Sequence, residues 1–380
     1  MQITGVDLLI APMATNWLTE RTIANPMSIY PEYAARRSSW YSRMTAGVVR
    51  VTVEDGTYGL GFVGGGKASA AVNVLDEQVR HLVVGKDCFQ TELISEQLYR
   101  ATIFYGQGGI AQALISGIDI ALWDLKGKIL GRPVYDLLGG RTSAALRPYL
   151  TSFDADALER FGIRDVKIAV PYGPADGVDG MRRNEEAVRA TRELIGPDGF
   201  IALDCYMAWD VPYAVEMVKR LRDYGIACIE EPVMPEDIEG YARIKDAVDV
   251  RVTGGEHTFT LEGFRRLIED GGVDIVQPDI YRAGGPTALK KIAALAKARN
   301  RQLICHGVGN PTYHFLISNG VEVSPRCEYL DIYDGSPAGW VLTQDPRPAG
   351  GALELSDEPG FGYELNDPAF REGETVSPIW

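Results

Sequence analysis

Three carboxylates at even spacing constrain this chain more than any other feature. Asp204 closes the run FIALD, Glu230 closes ACIE, Glu256 closes VTGGE, and successive members stand 26 residues apart. Each follows a short apolar run. Stretches with helical periodicity, DVPYAVEMVKRLRDYG and MPEDIEGYARIKDAV, separate the runs. The pattern is a repeated strand–helix unit with an acid at each strand end. In a (β/α)-barrel all strand C-termini open on one face, and that face carries the chemistry. Successive strands are neighbours there, so three carboxylates converge. A single Asp or Glu after an apolar run is ordinarily a helix N-cap or a solvated loop residue; three at equal spacing are not explained that way. Oxygen ligands without Cys or His suit a hard divalent cation, Mg2+ first, with Mn2+ able to substitute.

The repeat extends in both directions. LRPYLTSF is the first expected barrel strand, and GIRDVKIAV, carrying Lys167, the second. After the three acid-ended strands, VDIVQPD ends at Asp279, RQLICHG reaches His306 and PRCEYLD carries Glu328, at intervals of 23, 27 and 22 residues. The reading places a barrel over residues 126–334. Residues 1–125 lack the repeat and form an α+β unit. It opens with a strand in ITGVDLLIAP and an irregular segment, NWLTERTIANPMSIYPEYAARRSSW. A hairpin follows in GVVRVTVEDGTYGLGFVG, turning at Asp-Gly. Helices are expected over 68–84, 90–103 and 109–129, the last closed by Gly131 and Pro133. Residues 335–380 are rich in Pro and Gly and read as long loops folding back on the first unit.

The 380 residues suit a barrel of about 250 residues plus a second unit. Lys and Arg number 38 against 52 Asp and Glu, a net charge of −14, which argues against nucleic acid or an anionic membrane surface as partner. An anionic small substrate stays possible, since local cations and a metal invert the field at a site. MQITGVDLLIAPM has no basic n-region, and no run approaches the length of a membrane span. The five cysteines, Cys88, Cys205, Cys228, Cys305 and Cys327, are odd in number and include no CxxC. They read as buried thiols in a reducing compartment, so a cytoplasmic protein is expected.

His306 and Asp279 end adjacent strands. A carboxylate beside an imidazole fixes its tautomer and raises its basicity. His306 then faces the metal as a general base. A divalent ion on a substrate carboxylate stabilises the enediolate formed when the α-proton leaves. Proton return on the other face gives racemisation; loss of a β-hydroxyl gives dehydration.

The ordered set Asp204, Glu230, Glu256, Asp279 with His306, and Glu328, together with ALWDLKGKILGRPVYDLLGG before the barrel, resembles the mandelate racemase branch of the enolase superfamily. The resemblance covers nearly the whole chain. It implies a modified (β/α)7β barrel beneath an α+β capping domain built from the N-terminal region and the tail. It implies one Mg2+ per subunit on Asp204, Glu230 and Glu256, and a homo-oligomer, from dimer to octamer. NWLTERTIANPMSIYPEYAARRSSW, SGIDIALWDLKGK, LDCYMAWDVPYA and GGEHTFT are similar to L-rhamnonate dehydratases. That likeness implies dehydration of a sugar acid to a 2-keto-3-deoxy acid, with His306 as base and then acid. Arg36 stands where the family's substrate-contacting arginine does, and Glu328, if protonated, is expected to hydrogen-bond the substrate carboxylate. Many relatives carry Lys-x-Lys on the second strand; here it reads Lys167-Ile168-Ala169, which favours a one-base dehydratase. A histidine found early in the dehydratases' loop has no counterpart, the first histidine being His81, so the sugar is not fixed. Lys167, Trp17, His257 and Tyr313 are candidate substrate contacts. The pairs Gly254-Gly255 and Gly284-Gly285 fit no phosphate-binding pattern and read as tight turns. The rival expectations are an epimerase, racemase or cycloisomerase on the same scaffold, and a non-catalytic binding barrel.

Overall fold

The structure is a computed structural model that describes residues 1–13, 23–34, 43–151, 155–331, 340–343, 346–372 and 374–376. Runs rich in Val, Ile, Leu and Phe form the first three strands, β1 (Ile3–Met13), β2 (Met44–Val53) and β3 (Tyr58–Val63), which make an antiparallel sheet in that order. β1 and β2 begin and end together, Met13 lying opposite Met44. The β2–β3 hairpin turns at Asp55-Gly56 as the sequence predicts. Gly56 takes φ 87°, and the Thr57 N–H donates to Asp55 Oδ1 at 2.9 Å.

Helix α1 (Thr91–Ala101) precedes α2 (Gly109–Leu130), which is buried along nearly its whole length and lies flat on β3. Its close approach requires glycine: a Cβ at Gly61 would stand 2.0 Å from the Gly117 carbonyl oxygen. Gly131, at φ 63°, ends the helix as expected. Residues 68–84 differ from the regular helix the sequence suggests. They form a 3-10 turn (Ala68–Ala71), a wider π turn (Val74–Val79) and one α turn (Arg80–Val83). The buried Ala71, Leu75, Val79 and Val83 recur every four residues. That period exceeds 3.6, and a wider turn keeps all four on one face.

The barrel strands are β4 (Pro148–Thr151), β5 (Val166–Ala169), β6 (Ile201–Asp204), β7 (Cys228–Glu230), β8 (Arg251–Gly254), β9 (Ile275–Val276), β10 (Gln302–Leu303) and β11 (Cys327–Tyr329). All eight fall inside the predicted runs. They form one parallel curled sheet in the order β10-β9-β8-β7-β6-β5-β4-β11. The Leu303 N–H donates to Val323 O just ahead of β11, bringing the two ends together. A helix follows each of the first seven strands: α3 (Ala155–Phe161), α4 (Gly177–Ile195), α5 (Val211–Arg220), α6 (Ile238–Ala247), α7 (Leu261–Glu269), α8 (Gly285–Ala298) and α9 (Asn310–Ser318). Asp210, Asp237 and Thr260 cap α5, α6 and α7 with their own side chains.

Helix α8 starts at Gly284 without a cap of its own. The cap comes from α2. Ser116 Oγ accepts from Gly284 N–H at 2.8 Å, and Asp119 accepts from Thr287 N–H at 2.9 Å and its hydroxyl at 2.7 Å. Tail residues meet the first unit: Tyr363 donates to Leu60 O, Phe361 N–H donates to Asp124, and Val376 bridges Met13. All five cysteines are buried and unpaired. Among the described residues no helix is long and apolar enough to cross a membrane.

Candidate active site at the barrel mouth

The strand ends bring the sequence-predicted acids to one face. Asp204 and Glu230 are register partners on β6 and β7. Glu256 lies two residues beyond β8, reached through Gly255 at φ 134°, where a Cβ would press on Phe264 and the Gln277 backbone. The turns that aim these groups are strained: Tyr206, Met207 and Glu231, none of them glycine, adopt φ of 43°, 60° and 41°. Asp279 and His306 lie past β9 and β10 and pair with each other as an isolated parallel bridge.

Side-chain contacts divide the mouth into two halves. On one, Lys167 is buried between Glu230 Oε1 at 2.9 Å and Glu328 Oε1 at 2.8 Å. Glu230 Oε2 accepts from Gln277 at 2.9 Å, and Gln277 accepts in turn from Thr253. Glu328 also accepts from the Thr151 hydroxyl at 2.7 Å and Gly307 N–H at 3.1 Å. On the other half, His306 Nδ1 lies 2.8 Å from Asp279 Oδ2, and its Nε2 lies 3.3 Å from Glu256 Oε1. Arg282 meets Glu256 Oε1 at 2.9 Å and Asp279 Oδ2 at 3.1 Å. His257 rests its Nδ1 on Glu231 Oε2 at 2.6 Å and points Nε2 toward Glu256 at 4.0 Å.

The electrostatics follow from this packing. Burial, then the neighbouring Glu230, hold the Asp204 carboxyl well above the usual range. Burial opposes ionisation of Glu256, but His306, His257 and Arg282 outweigh it and hold that carboxyl well below the usual range. Burial likewise disfavours a charged His306; Glu256 and Asp279 outweigh it and lift the imidazole to about 9. Glu328 is held ionised against burial, chiefly by Lys167. The condition attached to its expected donor role, protonation, is therefore disfavoured here, and Lys167 is the group beside it that carries protons.

The predicted trio suits a hard divalent cation. It offers oxygens only, on adjacent strands, those of Glu230 and Glu256 buried and that of Asp204 half-buried, and at Asp204 desolvation and then the neighbouring Glu230 favour a proton on an acid that a cation would keep ionised. Among the described residues, a group whose ligand atoms all lie within 4.8 Å of one another is Glu231, Glu256 and His257. Glu231 was not singled out by the sequence reading; its place directly after Glu230 was the available signal. Gln277 was legible as well, two residues before Asp279. Arg282 carried no signal, because a strand-to-helix turn aims it. Tyr313 is buried, with its hydroxyl donating to the Glu328 carbonyl at 3.0 Å. His314 packs away from the mouth, accepting from Tyr135 N–H. Trp17 and Arg36 lie outside the described residues.

Comparison with known proteins places this geometry. Residues 152–369 match the family described as enolase C-terminal domain-like, and residues 20–139 match the mandelate racemase / muconate lactonizing enzyme N-terminal domain. A Caldivirga maquilingensis protein, provisionally named as an L-rhamnonate dehydratase, is 40% identical over 90% of this chain and 87% of its own. The L-rhamnonate dehydratase of Saccharopolyspora erythraea is 37% identical over 92% of this chain and 91% of its own. The crystal structure of L-rhamnonate dehydratase from Gibberella zeae superimposes with a TM-score of 0.90 at 37% identity, covering 99% of this chain and 96% of that one. A second structure of the Gibberella enzyme, complexed with Mg, gives 0.89 at 36% identity over 97% of this chain and 95% of that one. The chain belongs to the mandelate racemase / muconate lactonizing enzyme family of the enolase superfamily.

Proposed function

We propose that this protein is a Mg2+-dependent sugar-acid dehydratase, a carbon–oxygen lyase that converts an aldonate of the L-rhamnonate type to a 2-keto-3-deoxy acid. One observation carries the reading: an imidazole anchored on Asp279 through Nδ1 presents its other nitrogen to the acid cluster, 3.3 Å from Glu256. The dehydratase names of relatives sharing 37–40% of the sequence support it, as does the Mg-bound Gibberella enzyme.

Asp204, Glu230 and Glu256 would hold the cation. When bound, it supplies the positive charge that stabilises the enediolate left by α-proton removal. His306 Nε2 takes the proton from C2, while Asp279 on Nδ1 fixes the ring and stabilises the imidazolium. His306 then returns that proton to the departing 3-hydroxyl, which leaves as water. The resulting enol takes a proton at C3 and becomes the 2-keto acid. Lys167 donates toward the substrate carboxylate from its seat between Glu230 and Glu328. Ala169 offers no opposite-face base, which suits elimination over racemisation. His257 is a substrate contact beside Glu256, Tyr313 a residue that steadies Glu328, and Arg36 and Trp17 hold the sugar acid from the capping loop. The cap comprises residues 1–125, continued to the end of α2, with the tail from 335; residues up to 334 complete the barrel. We place the enzyme in the cytoplasm as a homo-oligomer, which size-exclusion chromatography with light scattering measures.

The test is a screen of L-rhamnonate, L-lyxonate, L-mannonate, D-xylonate, L-arabinonate and D-gluconate with Mg2+, scoring 2-keto acid. A hit fixes reaction class and substrate together. Solvent deuterium entering C2 without 2-keto product points instead to an epimerase.

A further inference from the structure

We infer that Arg282 is a positioning residue for this reaction, a fixed cation that ties Glu256 to the Asp279–His306 pair and is seated by the capping sheet. The inference rests on the dehydratase reading above. Arg282 is 8% exposed and stands three residues after Asp279, in the turn into α8. Its Nη1 is 2.9 Å from Glu256 Oε1 and its Nε 3.1 Å from Asp279 Oδ2. His306 spans the same two oxygens, with Nε2 3.3 Å from Glu256 Oε1 and Nδ1 2.8 Å from Asp279 Oδ2. Two carboxylates are thus bridged twice, once by an imidazole and once by a guanidinium.

The two bridges differ in one respect that matters for turnover. A base that takes a proton and hands it on changes its charge, and with it its grip on both acids. A guanidinium keeps its charge at every working pH. Arg282 therefore holds Glu256 and Asp279 at constant separation while His306 cycles. Its planar head donates to Glu256 through Nη1 and lies in ion-pair contact with Asp279 through Nε, an arrangement that a lysine ammonium on a flexible stem does not hold with fixed geometry.

The cap locks this arrangement. Phe62 of β3 packs edge-on against Tyr281 at 5.3 Å, and the next backbone past β3 presses on the same turn. A Cβ at Gly64 would lie 2.9 Å from Tyr281 Cβ and 3.2 Å from Arg282 Cγ. No barrel residue needs to change for the guanidinium to be displaced.

The test uses the full-length Mg2+-loaded enzyme and the sugar acid identified by the screen. Arg282→Gln is expected to lower kcat about 10–100-fold, the range for partners that orient metal and catalytic groups, with KM and Mg2+ binding changed far less. Arg282→Lys restores the charge but only a minor part of the rate. Gly64→Ala, remote from the reacting atoms, lowers kcat in the same direction at nearly unchanged KM. Wild-type kcat in Arg282→Gln overturns the inference. So does a variant in which kcat, Mg2+ binding and unfolding midpoint all fall while KM rises, since that is loss of packing. If Arg282→Gln does not fold, Gly64→Ala decides, and full activity there overturns it. A wild-type enzyme inert across the whole library instead defeats the dehydratase reading.

Discussion

Two groups of buried acids among the described residues are handled in opposite ways. On α2, Asp119 and Asp124 face fixed donors. Asp119 accepts from Thr287, and Asp124 accepts from Leu60 N–H and Phe361 N–H at 2.9 Å each and pairs with Lys128 at 2.9 Å. Those partners are mostly backbone, and they join hairpin, tail and barrel. At the mouth, Glu230 and Glu256 have the side chains of Lys167, Gln277, Arg282 and His306 as partners, and Asp204, which accepts from Tyr206 N–H at 3.0 Å, feels the charges of both. Burial alone does not mark a reactive carboxylate. Acids saturated by main-chain N–H groups are architecture; acids crowded against like charges and movable protons are available for chemistry.

Substitutions on the two sides sharpen this contrast. The largest effect belongs to His306→Asn, which is expected to lower turnover about 10²–10⁴-fold, the range for a lost general acid–base, without altering Mg2+ binding. Keto-acid formation and titration calorimetry read the two quantities separately, and a proportionate loss of both would erase the distinction. Next is Asp124→Ala, which strands buried Leu60 and Phe361 N–H groups and Lys128. Urea unfolding is expected to show a loss of about 3–5 kcal/mol, while kcat of the remaining folded protein holds. Asp204→Asn runs the other way. An amide needs no proton taken up on folding, as the raised Asp204 carboxyl does, so the metal-free protein is expected to gain about 1 kcal/mol while Mg2+ binding falls; a lower unfolding midpoint without metal would contradict it.

Asp119 gives the smallest effect and a pH signature. Burial pushes its carboxyl up to about 7, against the hydrogen bonds from Thr287. A folded-state pKa above the unfolded value means that the folded protein holds the proton more tightly. Its contribution is complete below about pH 4 and declines as pH rises through about 7. The stability of the wild type minus that of Asp119→Asn should fall as pH rises from about 4 to about 7 and level off above. A difference that rises over that range would mean that the carboxylate form, capping α8, dominates.

The fold was legible because its signals are local. Apolar runs ending at Asp204, Glu230 and Glu256 mark strands, Asp55-Gly56 marks a hairpin and Gly131 marks a helix end. The site was legible as far as residue type and strand end can show it. Orientation was not. The left-handed backbones at Tyr206, Met207 and Glu231 have no glycine to announce them, so the role of Glu231 under His257 stayed hidden. Asp119 and Asp124 sit among Ile, Leu and Trp in α2, where only the folded chain shows which N–H groups meet them. The wide turn at 74–79 is visible in hindsight in the four-residue spacing of Ala71, Leu75, Val79 and Val83.

The pairing of Met13 with Met44 has a consequence for how such an enzyme changes its diet over evolutionary time. The chain leaves the capping sheet and re-enters it at one spot. Insertions and deletions between those residues are absorbed at a closed junction, and each doubling of a loop's length costs only about 0.6 kcal/mol in closure entropy. On the role proposed for Arg36, lineages can rewrite that stretch while inheriting the proton-transfer apparatus unaltered. Selectivity and reactivity would then be separately mutable traits.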